Sequence, residues 1–420
     1  MSKHPLLALA LAGLCVSALP ATAAPADIEV MTQNQYVGMD LLGLVNSNDF
    51  NAAVVEALQT RAASLPTERA RALAALIARR MPALAALEEV YKFTCVDTNP
   101  LDLQGCENPA IAGAFTDQLA DTLAALGGRY RAAAHVDNLN LPASLPALNG
   151  YPGVPIAYDG GLIFVGVLDR DVILARNDVV TTPLPFKSLC FRPSATSEGC
   201  NYAFVASAEL TIAGQTVSIA FERGFVGVAA TVAGKPYKFV ATHLETRLNE
   251  TNPFGRIYQS GQAAELQAYL PAFAAIPGKL LIAGDFNSDP RDRIIEVPLP
   301  LIAFLQSQGV PPALLPYLGV PPYLQLAGNG YTDVWTLRPG AAKGRGTPLI
   351  GLSCCQDADL ANPRSVLYER VDLIWSLTKP AKVQDARLLG ETTSDKTMPG
   401  PFGLWPSDHA SVAAKLSFGR

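Results

Sequence analysis

Residues 279–287 read KLLIAGDFN, an apolar run followed by polar residues. The apolar run from Leu280 to Ala283 predicts a buried strand that ends at Gly284. Polar side chains follow at once, because Asp285 and Asn287 come directly after the run. An Asp in this position commonly caps a turn or a helix, so the stretch alone does not decide whether these side chains carry chemistry.

Further strands and helices are predicted on both sides of this stretch. Alternating apolar residues predict a strand at 27–34, and consecutive strands are predicted at 216–221, 225–232 and 237–243. The remaining predicted elements are strands at 370–375 and 410–418, helices within 51–87 and at 255–270, and a hairpin of 161–167 with 172–174 around Asp169, Arg170 and Asp171. Because no repeat or flexible linker separates these elements, residues 24–420 are predicted to form one large domain with insertions.

The composition limits the classes of protein to which the chain can belong. Of its 420 residues, 49% are hydrophobic and 16% are charged, which excludes intrinsic disorder and coiled coils. A net charge of −5 gives no overall basic surface, so tight non-specific binding of nucleic acid is not expected. With 33 Gly and 33 Pro residues, the chain favours a sheet-dominated core over a helical bundle.

The N-terminus has the pattern of a secretory signal peptide. A basic start precedes an apolar run over residues 5–19, and residues 21–23 read ATA, the small-x-small form of a cleavage site. The run is too short for a membrane anchor, which needs about 20 apolar residues. Residues 1–23 are therefore predicted to be removed, and the mature chain is predicted to be secreted or periplasmic.

The cysteines agree with an oxidising compartment. One of the seven lies in the predicted signal peptide, which leaves an even number in the mature chain. Two local disulfides are predicted, Cys95–Cys106 and Cys190–Cys200. Cys354 and Cys355 are adjacent and do not match the usual disulfide spacing, so their pairing stays open. No Cys-x-x-Cys or Cys/His zinc spacing is present, and no thiolate metal site is expected.

Residues 297–332, which we call the uncharged tract, contain no charged side chain and include two Pro-Pro pairs. The simpler interpretation is an insertion of short helices packed on the domain. The alternative is an exposed apolar surface for a lipid or a protein partner.

Polar residues occupy the ends of several predicted strands, where a buried chain normally has apolar ones. The set consists of Asn34, Glu89, His243, Asp285, Asn287, Asp372, Asp408 and His409. Taken singly, each is a weak signal, since such residues often only form turns or caps. Two of the three histidines of the mature chain nevertheless belong to the set.

In order along the chain, these residues lie in six short motifs. The motifs are Thr32-Gln33-Asn34, Leu87-Glu88-Glu89-Val90, Thr242-His243-Leu244, Gly284-Asp285-Phe286-Asn287, Arg370-Val371-Asp372-Leu373-Ile374 and Ser407-Asp408-His409. Together they resemble the endonuclease/exonuclease/phosphatase superfamily of deoxyribonuclease-I-like enzymes. The resemblance implies an α/β fold, namely a two-sheet β-sandwich flanked by helices. It extends over nearly the whole mature chain.

The resemblance also implies a metal site. Asn34 and Glu89 are the implied ligands, Asp408 either binds the metal or steers His409, and oxygen ligands without thiolates suit Mg²⁺ or Mn²⁺. Position 88 departs from the family pattern because Glu replaces the usual Gln. We therefore leave open whether Glu88 also binds the metal, or binds it in place of Glu89.

The other residues of the set are the implied catalytic groups. Asp285 is expected to orient the attacking water or accept its proton, and Asn287 to donate to a phosphate oxygen. Asp372 is expected to hold His409, which donates to the developing negative charge, while His243 acts as a donor or general acid. Arg223 is either a phosphate contact or a surface residue.

These features predict an exported phosphoesterase that hydrolyses phosphodiesters with a divalent metal, without fixing the substrate. Nucleic acid and phospholipid are both candidate substrates, and the second would bring the uncharged tract into peripheral membrane contact. The alternatives are a phosphomonoesterase, such as a phosphoinositide phosphatase, and a non-catalytic binding protein on the same fold. No obligate protein partner is evident from the sequence.

Overall fold

The computed structural model describes residues 27–45, 47–98, 103–141, 150–212, 215–247, 253–307, 309–341, 350–398, 400 and 402–419. The predicted signal peptide, residues 1–23, lies outside these ranges. Within them, no helix combines the length and the apolar character that crossing a membrane requires.

The predicted strands and helices are for the most part present. In chain order the strands are β1 Asp27–Asn34, β2 Leu84–Glu88, β3 Lys92–Asp97, β4 Tyr130–Asn140, β5 Val154–Tyr158, β6 Gly161–Arg176, β7 Val180–Pro183, β8 Arg192–Pro193, β9 Cys200–Asn201, β10 Ala206–Ile212, β11 Gln215–Phe221, β12 Gly224–Val232, β13 Lys235–His243, β14 Lys279–Asp285, β15 Thr332–Asp333, β16 Asp372–Ser376, β17 Lys382–Leu389 and β18 Ser411–Ser417. The α-helices are α1 Leu41–Val45, α2 Phe50–Ala63, α3 Pro66–Arg80, α4 Gln118–Ala125, α5 Pro253–Tyr269, α6 Leu299–Ser307 and α7 Pro322–Gly328.

Among the described residues, the strands form two eight-stranded sheets and a separate β10–β11 hairpin. The first sheet follows the order β17-β18-β1-β2-β6-β3, and β4 and β5 also pair with β6. The second sheet follows the order β15-β16-β14-β13-β12-β9-β8, and β7 also pairs with β12. Both sheets are mixed, since β1 with β2 and β13 with β14 are parallel pairs.

The two sheets pack face to face around an apolar layer. Val30 and Ile173 of the first sheet belong to the same buried cluster as Phe239 and Leu281 of the second. Helices cover the outer faces: α3 packs on the first sheet and α5 on the second. Burying one apolar face of each sheet and one stripe of each helix is the arrangement that such patterns favour. The predicted two-sheet β-sandwich flanked by helices is confirmed.

The predicted hairpin at 161–174 is wrong. Residues 161–176 form the single strand β6, whose first half pairs with β3 and β5 and whose second half pairs with β2 and β4. The charged residues read as a turn therefore lie in mid-strand, where Asp169 and Asp171 are buried. Arg170 finds a partner in Asp117, 2.6 Å away, and this pairing lets a charged residue remain in the strand.

The predicted helical stretch 51–87 also needs correction at its end. Helices α2 and α3 account for residues 50–63 and 66–80, but Leu84–Glu88 is the strand β2. Its Ala- and Leu-rich composition favours a helix, yet every residue of β2 is buried between β1 and β6. Tertiary packing has overridden local propensity here.

The uncharged tract contains the short helices α6 and α7. Leu314 and Leu318 are 6% exposed and pack with Phe204 and Ile257, while Leu326 of α7 is fully buried beside α5. Leu299 and Phe304 of α6 remain exposed. The tract thus packs on the domain through these buried residues, and its large exposed apolar side chains among the described residues lie on α6.

Both predicted disulfides are confirmed, since Cys95 is bonded to Cys106 and Cys190 to Cys200. The adjacent Cys354 and Cys355 are also bonded to each other. The disulfides are consistent with an exported protein.

Candidate active site

The polar residues singled out in the sequence come together at one end of the sandwich. We call this set, Asn34, Glu89, His243, Asp285, Asn287, Asp372, Asp408 and His409, the strand-end cluster. Pairing in the second sheet aligns the key positions, because His243 is opposite Asp285 and Asp285 is opposite Asp372. In the first sheet Asn34 is opposite Glu88, so Glu89 follows one position beyond. Strand register alone therefore brings together residues that are far apart in the sequence.

One oxygen lies at the centre of the cluster. Asp285 Oδ2 accepts a hydrogen bond from Asn34 Nδ2 at 3.1 Å and lies 3.5 Å from His243 Nε2 and 3.8 Å from His409 Nε2. The other carboxylate oxygen accepts the backbone N–H of Asn287 at 2.8 Å, which fixes the side chain. Burial and the nearby carboxylate of Asp372 raise the pKa of Asp285.

Asp372 and His409 form a close pair, as expected. His409 Nδ1 lies 2.8 Å from Asp372 Oδ2, and both side chains are almost entirely buried. Burial alone would lower the pKa of His409, but the carboxylates of Asp372, Asp408 and Asp285 outweigh it and raise that pKa well above its ordinary value. His409 is thereby favoured as an imidazolium that can donate from Nε2 towards Asp285.

His243 is in the opposite electrostatic state. Arg223 Nη1 lies 2.9 Å from its Nδ1, and a guanidinium can only donate, so Nδ1 must accept and Nε2 carries the hydrogen. Burial and the positive charges of Arg223 and His409 lower the pKa of His243 well below its ordinary value. The cluster therefore holds one neutral and one cationic imidazole around the same carboxylate.

Glu89 and Asp408 are partly exposed members of the cluster, and the buried Asn34 lies beside Glu89. Asn34 Nδ2 donates to Glu89 Oε1 at 3.2 Å, and the backbone N–H of Val37 donates to Glu89 Oε2 at 3.0 Å. Burial raises the pKa of Asp408 to about 6, and the Glu89 carboxylate acts in the same direction. The Glu89 carboxylate therefore adds negative charge close enough to Asp408 to affect its pKa.

Glu88 and Glu89 have separate environments although they are neighbours. Glu89 has a φ of 55° and is partly exposed beside Asn34. Glu88 is fully buried and accepts a hydrogen bond from Thr32 Oγ1 at 2.9 Å. Its pKa is raised well above the ordinary value by burial and by the carboxylates of Asp372 and Asp171. The geometry thus favours Glu89, not Glu88, as the residue that faces a ligand at Asn34.

The chemistry of these side chains fits a hard divalent cation. The cluster concentrates carboxylates: besides burial, the Asp372 carboxylate raises the pKa of Asp285 and the Glu89 carboxylate raises that of Asp408, and Asp372 Oδ1 is buried without a hydrogen-bond partner among the described residues. Oxygen donors of this kind bind Mg²⁺ or Mn²⁺, and a cation would relieve the repulsion. Asn34, Glu89 and Asp408 are the residues placed to hold it, with Asp285 adjacent to Asn34.

Two arginines that the sequence did not place in the site support the cluster from behind. Arg223 was left undecided between a phosphate contact and a surface position, but it is directed at His243. Arg69 of α3 is completely buried and donates from Nη1 to Gln35 O at 2.9 Å and towards Pro406 O at 3.4 Å. It therefore links the loop after Asn34 to the loop before Asp408. On a helix otherwise rich in exposed arginines, nothing in the sequence marks Arg69 as different.

Comparisons with known proteins agree with this geometry. The model of the Endonuclease/Exonuclease/phosphatase family matches residues 116–409, which is more than half of the chain. The matched range includes His243, Asp285, Asp372 and His409 and begins after Asn34 and Glu89. No protein with a curated description matches the sequence.

Several solved structures are similar to the chain at low sequence identity. An endonuclease/exonuclease/phosphatase family protein from Bacteroides thetaiotaomicron has a TM-score of 0.46 and 14% identity, covering 94% of this chain and 100% of its own. One from Beutenbergia cavernae has a TM-score of 0.44 and 17% identity, covering 94% and 72%. The mannosyl-6-phosphatase of Bacteroides thetaiotaomicron has a TM-score of 0.46 and 14% identity, covering 93% and 100%.

Proposed function

This chain belongs to the endonuclease/exonuclease/phosphatase family, whose members are hydrolases that act on phosphoesters, and on that premise we propose that it hydrolyses phosphodiesters with a divalent cation, Mg²⁺ or Mn²⁺. The observation that carries the proposal is the position of Asp285 Oδ2. It lies within 3.8 Å of Asn34 Nδ2, His243 Nε2 and His409 Nε2 at once. Burial and the Asp372 carboxylate raise the pKa of Asp285, which makes it a better proton acceptor, and the neighbouring groups hold it where it can orient a water.

Each member of the strand-end cluster has a distinct role in this proposal. Asp285 positions the attacking water for in-line displacement at phosphorus. His409, held by Asp372, donates a hydrogen bond to the phosphoryl oxygens as negative charge develops on them. A divalent cation bound by Asn34, Glu89 and Asp408 would supply additional positive charge to the phosphate.

Asn287 and His243 complete the contacts to the phosphate. Asn287 Nδ2 donates one hydrogen to Leu244 O at 2.9 Å. Because His243 Nε2 already carries a hydrogen, it cannot accept the second one from Asn287, 3.2 Å away. That second N–H, and the N–H of His243, are therefore free to donate to the phosphate or to the leaving oxygen.

The protein is also proposed to act outside the cytoplasm. The predicted signal peptide and the disulfides Cys95–Cys106 and Cys190–Cys200 support export. Peripheral contact with a membrane is proposed only for a lipid substrate, and it would involve the exposed side of α6, not the buried Leu314 and Leu318.

A substrate panel with metal control tests the proposal. Purified protein is treated with EDTA, and hydrolysis of plasmid DNA, RNA, sphingomyelin, a phosphoinositide and bis-p-nitrophenyl phosphate is measured before and after Mg²⁺ or Mn²⁺ is restored. We expect at least one phosphodiester to be hydrolysed, chelation to abolish the activity and the metal to restore it. His409→Ala, prepared in parallel, is expected to be inactive and so excludes a contaminating enzyme.

Two results would contradict the proposal. Full activity after exhaustive chelation would remove the metal from the mechanism. Absence of hydrolysis across the panel in the metal-loaded wild type would leave a binding protein on the same fold as the better account.

A further inference from the structure

The bonded cysteines Cys354 and Cys355 lie against the strand-end cluster. Ligand atoms of Cys354, Cys355 and His409 all lie within 4.8 Å of one another. Cys354 is 5% exposed, whereas Cys355 is more open. The chain has no zinc-type spacing because His409 is far from the cysteines in sequence, and only the fold brings the imidazole to the two sulfurs.

Backbone hydrogen bonds hold the cysteines at this position. Ala410 N–H donates to Ser353 O at 2.7 Å and Gln356 N–H donates to Asp408 O at 2.8 Å, so Cys354 is bridged to His409 on one side. On the other side, Glu369 N–H donates to Cys354 O at 2.7 Å. The segment therefore lies between the chain leading to Asp372 and the chain carrying His409, and neither cysteine can move far from the imidazole without breaking these bonds.

The chemistry offered to a metal depends on the oxidation state of the pair. While the sulfurs are bonded to each other, neither is a thiolate, and thiolate is the form that binds metal. Once reduced, two thiolates and one imidazole form the sulfur and nitrogen set that Zn²⁺ prefers, with one coordination position left open. Mg²⁺ favours the oxygen ligands of Asn34, Glu89 and Asp408 instead, so ligand softness separates the two sites.

We propose that Cys354, Cys355 and His409 form a redox-gated site for a thiophilic divalent cation of the Zn²⁺ class, closed in the disulfide form and open in the dithiol form. Occupancy displaces the proton from a ring nitrogen of His409 and withdraws the imidazole from phosphoester hydrolysis. The binding part of this inference stands on geometry alone, and the inhibitory part rests on the proposed function.

The opening step is an ordinary two-electron reduction. With a phosphine reductant, the disulfide, the phosphine and one water give two thiols and the phosphine oxide. With an external dithiol, thiol–disulfide exchange gives the two protein thiols and transfers the disulfide to that dithiol. Metal binding then releases the thiol protons.

Zinc binding with and without reduction tests the site. The chain is treated with a phosphine, and bound Zn²⁺ is measured by competition with a chromophoric chelator. Reduced wild type is expected to bind one Zn²⁺ more per chain than unreduced wild type, with thiolate-to-metal absorption when Co²⁺ replaces Zn²⁺. The Cys354→Ser/Cys355→Ser variant is expected to lose this increment, whereas the matched Cys190→Ser/Cys200→Ser variant keeps it.

A variant that needs no reductant guards against unfolding on reduction. Cys355→Ser leaves the Cys354 thiol free beside His409 and is expected to bind Zn²⁺ more weakly than the reduced pair. His409→Ala is expected to weaken binding to the reduced pair by at least about 10-fold. No extra Zn²⁺ in reduced wild type or in Cys355→Ser, or an increment retained in the double Ser variant, would overturn the site.

Activity measurements separate this inference from the proposed function. Zn²⁺ is expected to lower turnover of the reduced wild type at least 10-fold, while turnover of the double Ser variant, relative to its own zinc-free value, changes much less. Zinc binding that leaves turnover unaffected would overturn the inhibitory part. Zinc binding by a chain that hydrolyses no phosphodiester would instead count against the proposed function and leave the site intact.

Discussion

The strand-end cluster and the uncharged tract both bury side chains, but burial has opposite consequences in the two regions. The cluster buries ionisable groups such as Asp285 and Asp372, each 1% exposed, and taking charges out of water is unfavourable. The tract buries Leu318 and Leu326, and burying apolar side chains is favourable. The tract therefore stabilises the fold, whereas the cluster lowers its stability and needs a functional reason to exist.

The largest effect of a single substitution is expected in the strand-end cluster. Glu89→Gln removes a charge from the proposed metal site and is expected to weaken the affinity for Mg²⁺ by at least about 100-fold, more than loss of an outer hydrogen-bond partner. High metal concentrations should recover part of the activity. The Mg²⁺ dependence of turnover measures this effect. Glu88→Gln is the matched control, and an equal loss there would show that Glu88 binds the metal.

A large effect on stability is expected from the tract. Leu326→Ala removes a fully buried side chain that packs beside α5, and it is expected to lower the free energy of unfolding by about 2–5 kcal/mol. Turnover per folded molecule should be unchanged. Urea denaturation measures the first quantity, and Leu299→Ala, which truncates a residue 78% exposed, is the control with little expected change. A selective loss of turnover in Leu326→Ala would remove the contrast between the two regions.

Removing the disulfide Cys190–Cys200 should lower the free energy of unfolding moderately. Its loop is short, with a sequence separation of 10, so replacing both cysteines by Ser is expected to cost up to roughly 3 kcal/mol. Denaturant titration of the variant without reductant measures the loss. An unchanged midpoint would show that buried contacts, and not the bond, hold this loop.

The smallest predicted effect is a gain in stability. Glu88→Gln replaces a buried carboxyl whose pKa is raised above its ordinary value of about 4.5, so the variant is expected to be slightly more stable than wild type at neutral pH. The folded wild type holds this proton more tightly than the unfolded chain, and it loses stability as pH rises from about 4.5 towards the folded pKa. The gain should therefore grow over that range. Unfolding measured from pH 4 to pH 8 with a chelator present tests it, and a gain that shrinks with rising pH would contradict the assignment.

The sequence predicted the cluster better than its surroundings, for a physical reason. Asn34, His243 and Asp285 stand at the ends of apolar runs, where a polar residue contrasts with its neighbours, and parallel or paired strands deliver such residues to one edge. No such contrast with neighbouring residues marks Arg69, Arg223 or Asp169, because their burial depends on partners distant in the sequence. The pKa of Asp169, raised to about 7 by burial although Arg223 opposes the shift, arises only from tertiary packing.

Errors of secondary structure had the same origin. Residues 84–88 favour a helix by composition, but their position between β1 and β6 makes them a strand. Charged residues at 169–171 resemble a turn until β4 is seen to pair with them. In both segments the deciding partners are non-local, and a reading of short windows cannot supply them.

Asp285→Asn is the most direct test of whether Asp285 serves chemistry and not stability. Turnover on bis-p-nitrophenyl phosphate and the free energy of unfolding are measured on the same preparation, with Asp385→Asn, on the distant strand β17, as the matched control. Turnover is predicted to fall by about 10²–10⁴ because the amide cannot accept a proton from water. The unfolding free energy should change far less than turnover, since removal of a buried charge and loss of an acceptor for Asn34 Nδ2 act in opposite directions. Near-wild-type turnover, or a loss of activity explained by unfolding, would contradict the account.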